Sequence, residues 1–188
     1  TRLLPEIVEV LIEKQAPATF FWIGIYDPPS RELIERMQQA GMQFGTHTLE
    51  HKTLTGKSSE FQKHQILEGL ERVKSWVSPS PVPYMRPPGG AWDETTQKIV
   101  SSLGLIQVLW SIDPKDWHKE ATPEGIIHHV LSALKPGAII LLHEKPATLQ
   151  ALPQLIDQIR AAGYEIVPLP KTELDPEGHP LLVLSNLE

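Results

Sequence analysis

The sequence contains no cysteine. Disulfides and thiolate metal sites are therefore excluded, and the redox compartment is left open. Nor is there an excess of positive charge. Lys and Arg number 17 against 23 Asp and Glu, a net charge of −6, which argues against nucleic acid or an anionic membrane surface as a partner. No apolar run approaches the ~20 residues that a membrane-spanning helix needs. The first residue is Thr1 rather than Met, already inside an amphipathic pattern, so the absence of an export signal carries little weight. What is present is ordinary for a globular protein. The 188 residues, 40% of them hydrophobic, suffice for one domain with a sizeable core.

Two periodicities alternate along the chain. Apolar residues at 3, 4, 7, 8, 11 and 12 mark an opening helix. Further helices are expected near 30–40, 58–77, 93–103, 122–134 and 147–162. The aromatic-rich run Ala18 to Gly24 reads as a buried strand, with others near 42–46, 82–86, 106–112, 138–143 and 165–169. Ala40-Gly41, Leu103-Gly104 and Ala162-Gly163 each place glycine where a left-handed helix cap is wanted. Thr122-Pro123-Glu124 is a helix start. Residues 78–90 form a proline-rich loop, and a polar loop at 171–180 precedes a last apolar strand near 181–185. Alternation of this kind implies an α/β fold with a parallel sheet covered by helices. Because the chain opens on a helix, the regular unit predicts one more strand before Thr1, making a barrel of seven strands that lacks its first.

The chemistry collects after strand ends, where barrels of this kind carry active sites. His47 and His51, in Gly45-Thr46-His47-Thr48-Leu49-Glu50-His51, are spaced so that both imidazoles can reach one metal ion. Arg86 ends the strand at 82–86. Asp113 and Asp116 follow the strand at 106–112, and His143 ends the one at 138–143. The remaining histidines, at 64, 118, 128, 129 and 179, read as solvated. A two-histidine site needs a third ligand, and none is evident nearby.

In these residues the sequence resembles the NodB-homology polysaccharide deacetylases, carbohydrate esterase family 4, over nearly its whole length. That family carries five short motifs in fixed order, and four have counterparts here. His47-Thr48-Leu49-Glu50-His51 is similar to the His-Ser/Thr-x-x-His motif. Arg86-Pro87-Pro88-Gly89-Gly90 is similar to Arg-Pro-Pro-aromatic-Gly, with Gly89 in place of the aromatic. Asp113-Pro114-Lys115-Asp116-Trp117 is similar to Asp-x-x-Asp-Trp, and Leu141-Leu142-His143 to Leu-x-His. The first motif, Thr-Phe-Asp-Asp, has no counterpart. In the family it lies on the first strand, just before the helix that opens this sequence.

The resemblance implies a distorted (β/α)7 barrel in a single domain spanning 1–188, N-terminally incomplete. It implies a deacetylase acting on N-acetyl or O-acetyl groups of a chitin-like polymer, peptidoglycan or acetylxylan, secreted or at the cell surface. His47 and His51 would hold a divalent metal, zinc by preference, although two imidazoles also suit cobalt, manganese or nickel. The absent aspartates would be the third ligand and the general base, supplied by an N-terminal fragment if this chain is a separate piece. Turnover is expected to be impaired relative to a chain that carries them. Arg86 would orient that base. His143 would protonate the leaving group, oriented by Asp116, a task that Asp113 could share on spacing alone. Trp117 and Leu141 would wall the acetyl pocket, and the Gly89 backbone N–H would donate to the oxyanion.

Two other readings compete. One is a non-catalytic carbohydrate-binding protein of the same fold. The other is a zinc peptidase, because His47-x-x-Glu50-His51 matches the inverted pattern His-x-x-Glu-His. That pattern requires a continuous helix, and here Gly45 before it and Gly56 after it favour a loop.

Overall fold

A computed structural model describes residues 3–170. They divide into two compact units, one built from residues 19–109 with 168–170 and the other from 3–18 with 110–167. The expected strand near 181–185, the loop 171–180 and His179 lie outside the described residues, as does the strand expected before Thr1.

The first unit is a parallel sheet with helices. Its strands are β1 (Thr19–Trp22), β2 (Gln43–Thr46), β3 (Tyr84–Met85) and β4 (Ile106–Gln107), in the order β1-β2-β3-β4. All three pairings are parallel, with Trp22 opposite Thr46, Thr46 opposite Met85 and Met85 opposite Gln107. The connecting helices are α2 (Arg31–Gln39), α3 (Ser59–Val77) and α4 (Glu94–Ser102). An aromatic cluster seats α3 on the sheet. Trp22, buried, packs 5.4 Å from Phe44 and 6.2 Å from Trp76 of α3, ring centroid to ring centroid.

The second unit gathers α1 (Leu4–Glu13), α5 (Pro123–Ala133) and α6 (Pro146–Ala161). Its core is Ile112, Ile126, Ile127, Val130, Ala151, Leu155 and Ile159. These lie on the apolar stripes of α5 and α6 at helical spacing, beside the strand segment that carries Ile112. The end of α1 is tied to α6 by Lys14 on Asp157 and by Arg160 donating to the Gln15 carbonyl.

All six expected helices are present. The three cap glycines, Gly41, Gly104 and Gly163, take φ of +73°, +65° and +86°, and the Thr122 hydroxyl accepts the Gly125 N–H at the start of α5. The strands are shorter than expected, for reasons visible in the backbone. Around β3, Pro81, Pro83, Pro87 and Pro88 cannot donate to a ladder, so the expected 82–86 contracts to two residues. The expected strands at 106–112 and 138–143 meet in a single parallel bridge, Ile112 to Ile140. There the Ser111 and Ile112 N–H groups both donate to the Ile139 carbonyl, which breaks the regular ladder. Residues 165–169 form no strand. Leu169 instead exchanges hydrogen bonds with side chains, donating to Gln43 Oε1 and accepting from Gln43 Nε2 and the Tyr84 hydroxyl.

A network at the start of α4 fixes the loop after the histidines. Asp93 caps α4 at the Thr96 N–H and also accepts from the Gly56 N–H and from Gln62 of α3. The Thr96 N–H is the strongest influence holding the Asp93 carboxyl down at about 2, followed, after an opposing effect of burial, by Gly56, Gln62 and the Thr96 hydroxyl. A depressed carboxylate stabilises the fold above its unfolded value of about 3.9 and loses that contribution as pH falls toward 2. Asp93→Ala is expected to cost about 1 kcal/mol at neutral pH and less near pH 2, where the carboxylate is being protonated. Urea titrations at the two pH values check both.

Candidate active site

In the sheet unit, β2 ends at Thr46 and the chain enters a turn at once. The ladder persists one residue further, with the His47 N–H donating to the Trp22 carbonyl and the Arg86 N–H to the Thr46 carbonyl. His47 and Arg86 are thereby placed at the C-terminal ends of neighbouring strands, as expected. The turn is not helical. Thr48 and His51 have φ of +67° and +58°, a conformation that costs a non-glycine residue on the order of 1–2 kcal/mol each. It brings the two imidazoles edge to face, 4.6 Å apart between ring centroids. The zinc-peptidase reading fails here, because the helix it needs is absent. Glu50 turns instead to Lys52 and Gln65, whose hydrogen bonds lower its carboxyl below the usual range.

The His47 tautomer follows from its partner. Nδ1 lies 2.6 Å from the Arg86 carbonyl oxygen, which can only accept, so Nδ1 carries a proton and, in the neutral ring, Nε2 is the nitrogen with the lone pair. A neutral imidazole so oriented by a backbone carbonyl is the usual form of a metal-ligating histidine. The donor set fits a divalent ion as two of its ligands. Among the described residues no group of three His, Cys, Asp or Glu side chains is placed to hold a metal. Arg86 itself is buried, with its guanidinium 4.1 Å above the Phe21 ring and turned toward the Val108 and Leu109 carbonyls. Burial lowers its pKa to about 10, so it remains a cation at neutral pH. Gly89, exposed, follows in a short 3-10 turn with φ of +64°.

The turn is packed directly on α3. An added Cβ at Gly69 would lie 2.5 Å from the Thr48 carbonyl carbon and 2.7 Å from the Leu49 nitrogen. Both are backbone atoms and neither can swing aside. Gly69→Ala gains about 1 kcal/mol of helix propensity but incurs overpacking of about 1–3 kcal/mol. A net loss of stability is expected in urea denaturation, and a more stable variant would contradict the close approach.

In the other unit, Asp116 and His143 form a closed pair. The Asp116 side chain has no exposed surface, whereas that of His143 is 40% exposed. Asp116 Oδ1 accepts from His143 Nδ1 at 2.7 Å, and Oδ2 accepts both the His143 backbone N–H and the Thr148 hydroxyl at 2.6 Å. Burial pushes the Asp116 carboxyl up, but the bonds from the His143 ring, Thr148 and the His143 N–H, with the ring's charge, bring it below the ordinary range. It is therefore ionised at neutral pH, Nδ1 of His143 holds a proton, and Nε2 is the ring's working nitrogen. Asp113 does not share the task, since its carboxylate accepts the Lys115 N–H in a local turn. Trp117 is 48% exposed and Leu141 is buried. The structure thus brings His47, His51 and Arg86 together in one unit and Asp116 and His143 in the other. Gln65, Gly69 and Thr148 were not foreseen. Polar or small residues on the buried stripe of α3, at 62, 65 and 69, were the available signal for the first two.

The sheet unit thus carries a histidine pair after a strand end, and the other unit a carboxylate-locked histidine. Comparison with known proteins gives the family. Residues 1–108 match the family model described as polysaccharide deacetylase. The chain is 33% identical over 183 residues to a chitooligosaccharide deacetylase of Bradyrhizobium sp. (strain ANU 289), covering 89% of this chain and 83% of that protein. It is 32% identical over 169 residues to a peptidoglycan-N-acetylglucosamine deacetylase of Bacillus cereus, covering 87% and 78%. Among solved structures, wild-type BA3943, a CE4 family pseudoenzyme from Bacillus anthracis, superposes with a TM-score of 0.80 at 26% identity, over 87% of this chain. This chain spans 58% of that protein's length. The chain belongs to the polysaccharide deacetylase family, carbohydrate esterase family 4, and has its NodB-type α/β fold. Among the described residues no helix is long and apolar enough to cross a membrane.

Proposed function

We propose that this chain is a metal-dependent deacetylase that hydrolyses N-acetyl groups of an amino-sugar polymer, either chitin-like or peptidoglycan. Acetyl esters such as acetylxylan are the secondary substrate class, and the site of action is outside the cell or on its surface. The observation that carries the proposal is the His47 tautomer. An imidazole oriented through Nδ1 by the Arg86 carbonyl beside a second imidazole 4.6 Å away has the arrangement of a metal-ligating histidine. The relatives named as chitooligosaccharide and peptidoglycan deacetylases support the substrate class.

His47 and His51 would hold the ion, zinc in preference to cobalt, manganese or nickel. When bound, it supplies Lewis acidity toward water and the acetyl carbonyl. The general base would come from the first motif, which has no counterpart in this sequence; this chain's own residues take the other roles. Arg86, a buried cation, orients a carboxylate base by a charge-assisted hydrogen bond. The Gly89 N–H donates to the developing oxyanion, and Trp117 and Leu141 enclose the acetyl methyl. As the C–N bond breaks, His143 Nε2 delivers its proton to the leaving nitrogen. Asp116 stabilises the imidazolium that must be present beforehand. The test is acetate release from N-acetylglucosamine oligomers and from peptidoglycan, with zinc and then with a chelator. Zinc-dependent release supports the proposal, and release indifferent to chelation overturns it.

A second reading is a carbohydrate-binding protein without turnover. The likeness to a wild-type pseudoenzyme of the same family favours it, and oligomer binding with zinc bound but no acetate release would establish it.

A further inference from the structure

The histidine turn cannot hold its shape alone. Thr48 and His51 both occupy the left-handed region, and such a conformation persists only where the surroundings over-determine it. Part of that constraint comes from β1, whose following residues Gly24 and Ile25 donate to the Thr48 and Leu49 carbonyls. Part is internal, the Thr48 hydroxyl accepting the His51 N–H. The largest share comes from one residue of α3. The Gln65 backbone carbonyl accepts the Leu49 N–H at 2.8 Å. Its side-chain Oε1 accepts the Glu50 N–H at 3.1 Å, and its Nε2 donates to the Glu50 carboxylate at 2.6 Å. The Gln65 side chain is fully buried, whereas the Glu50 carboxylate that it meets is partly exposed.

We propose that Gln65 is a positioning residue for the histidine pair, gripping Leu49 and Glu50 so that the turn delivers the His47 and His51 rings to one point. Its side chain engages both the donor and the acceptor of Glu50, as a backbone neighbour in a sheet would. An amide is required for this double role. A carboxylate at position 65 would repel Glu50, and an apolar side chain would leave the Glu50 N–H unpaired beneath the protein surface. The consequence for metal binding rests on the proposed role of His47 and His51, while the consequence for the turn does not.

The experiment uses the full 188-residue chain with zinc alone as the probe. Gln65→Met keeps the volume and removes the two side-chain bonds to Glu50, leaving the backbone carbonyl on Leu49. Its zinc affinity, read by calorimetry, is expected to fall about ten- to a hundredfold, as for other residues that orient a ligand from behind. In the metal-free protein, the Glu50 amide should exchange at least about tenfold faster, and the NMR contact between the two imidazole rings should weaken. Gln62→Met is the control. Gln62 is equally buried on the same helix but bonds Asp93, Thr96 and the Lys57 carbonyl. It should lose stability and keep its zinc affinity. Gln65→Glu should weaken zinc binding, and adding Glu50→Gln, which exchanges donor for acceptor across the same bond, should restore it. A folded Gln65→Met protein with wild-type zinc affinity, or an equal loss in Gln62→Met, overturns the proposal. If the wild-type chain binds no zinc, the metal reading fails. The turn then decides: a ring contact and amide exchange unchanged in Gln65→Met overturn the inference, and their loss supports it.

Discussion

His47→Ala is expected to remove zinc binding and to lower zinc-dependent acetate release by at least about a thousandfold, ~4 kcal/mol of transition-state stabilisation. The effect is large because the imidazole has two jobs that no neighbour duplicates. In the proposed site its Nε2 would be one of two imidazole ligands from the turn, and its Nδ1–H satisfies the Arg86 carbonyl at 2.6 Å. Removing the ring takes away half the imidazole donor set and leaves that carbonyl without the ring's N–H. The fold should survive, since the β2 and β3 ladder is made by backbone groups, the His47 N–H to Trp22 and the Arg86 N–H to Thr46. Calorimetric zinc titration and acetate release measure the loss. The exposed His64 of α3, replaced by alanine, should change neither.

Asp116→Asn is expected to lower turnover about 10²- to 10⁴-fold with little change in zinc affinity. Both oxygens of Asp116 accept, Oδ1 from the His143 ring and Oδ2 from the His143 N–H and Thr148. An amide must place its NH2 on one side or the other. Facing the backbone, it opposes an N–H donor at 2.6 Å. Facing the ring, it donates to Nδ1 and holds the imidazole neutral, with its only proton on Nε2, a far poorer acid than an imidazolium. The depressed Asp116 carboxyl sets the sign of the pH effect. In the wild-type chain the anion is present throughout the neutral range, and the Asp116 contribution to activity is lost only on the acid side, as the carboxylate is protonated. In the variant that acid-side dependence should disappear from the pH–rate profile. Thr148→Val, which removes one of the bonds on Oδ2, should show a smaller loss of the same kind.

Much of this was legible in the sequence, and the exceptions have physical reasons. Helices were readable because the apolar stripe and the cap are local: Thr122 before Pro123 and the glycines at 41, 104 and 163 sit where the structure uses them. Strands were over-read because an apolar run by itself fixes neither burial nor pairing. Residues 165–169 satisfy the pattern, yet Val167 is exposed and Leu169 is bonded through the Gln43 and Tyr84 side chains. His47, Arg86, Asp116 and His143 were recognisable because they follow strands and their chemistry is distinctive. What chooses Asp116 over Asp113 is three hydrogen bonds that it accepts, two from His143 and one from Thr148, 32 residues away, which spacing cannot express. Gln65 was invisible for the same reason, since it acts 15 residues from Glu50 across a helix and a turn.

The central claim is that the two imidazoles hold an ion that drives deacetylation. It is tested most directly by measuring acetate release from an N-acetylglucosamine oligomer while zinc is titrated into the metal-free chain. The account predicts that release rises with bound zinc, levels off at one ion per chain, and returns to background on chelation. Release that ignores the zinc titration, or a fully zinc-loaded chain that binds the oligomer and releases no acetate, would contradict it.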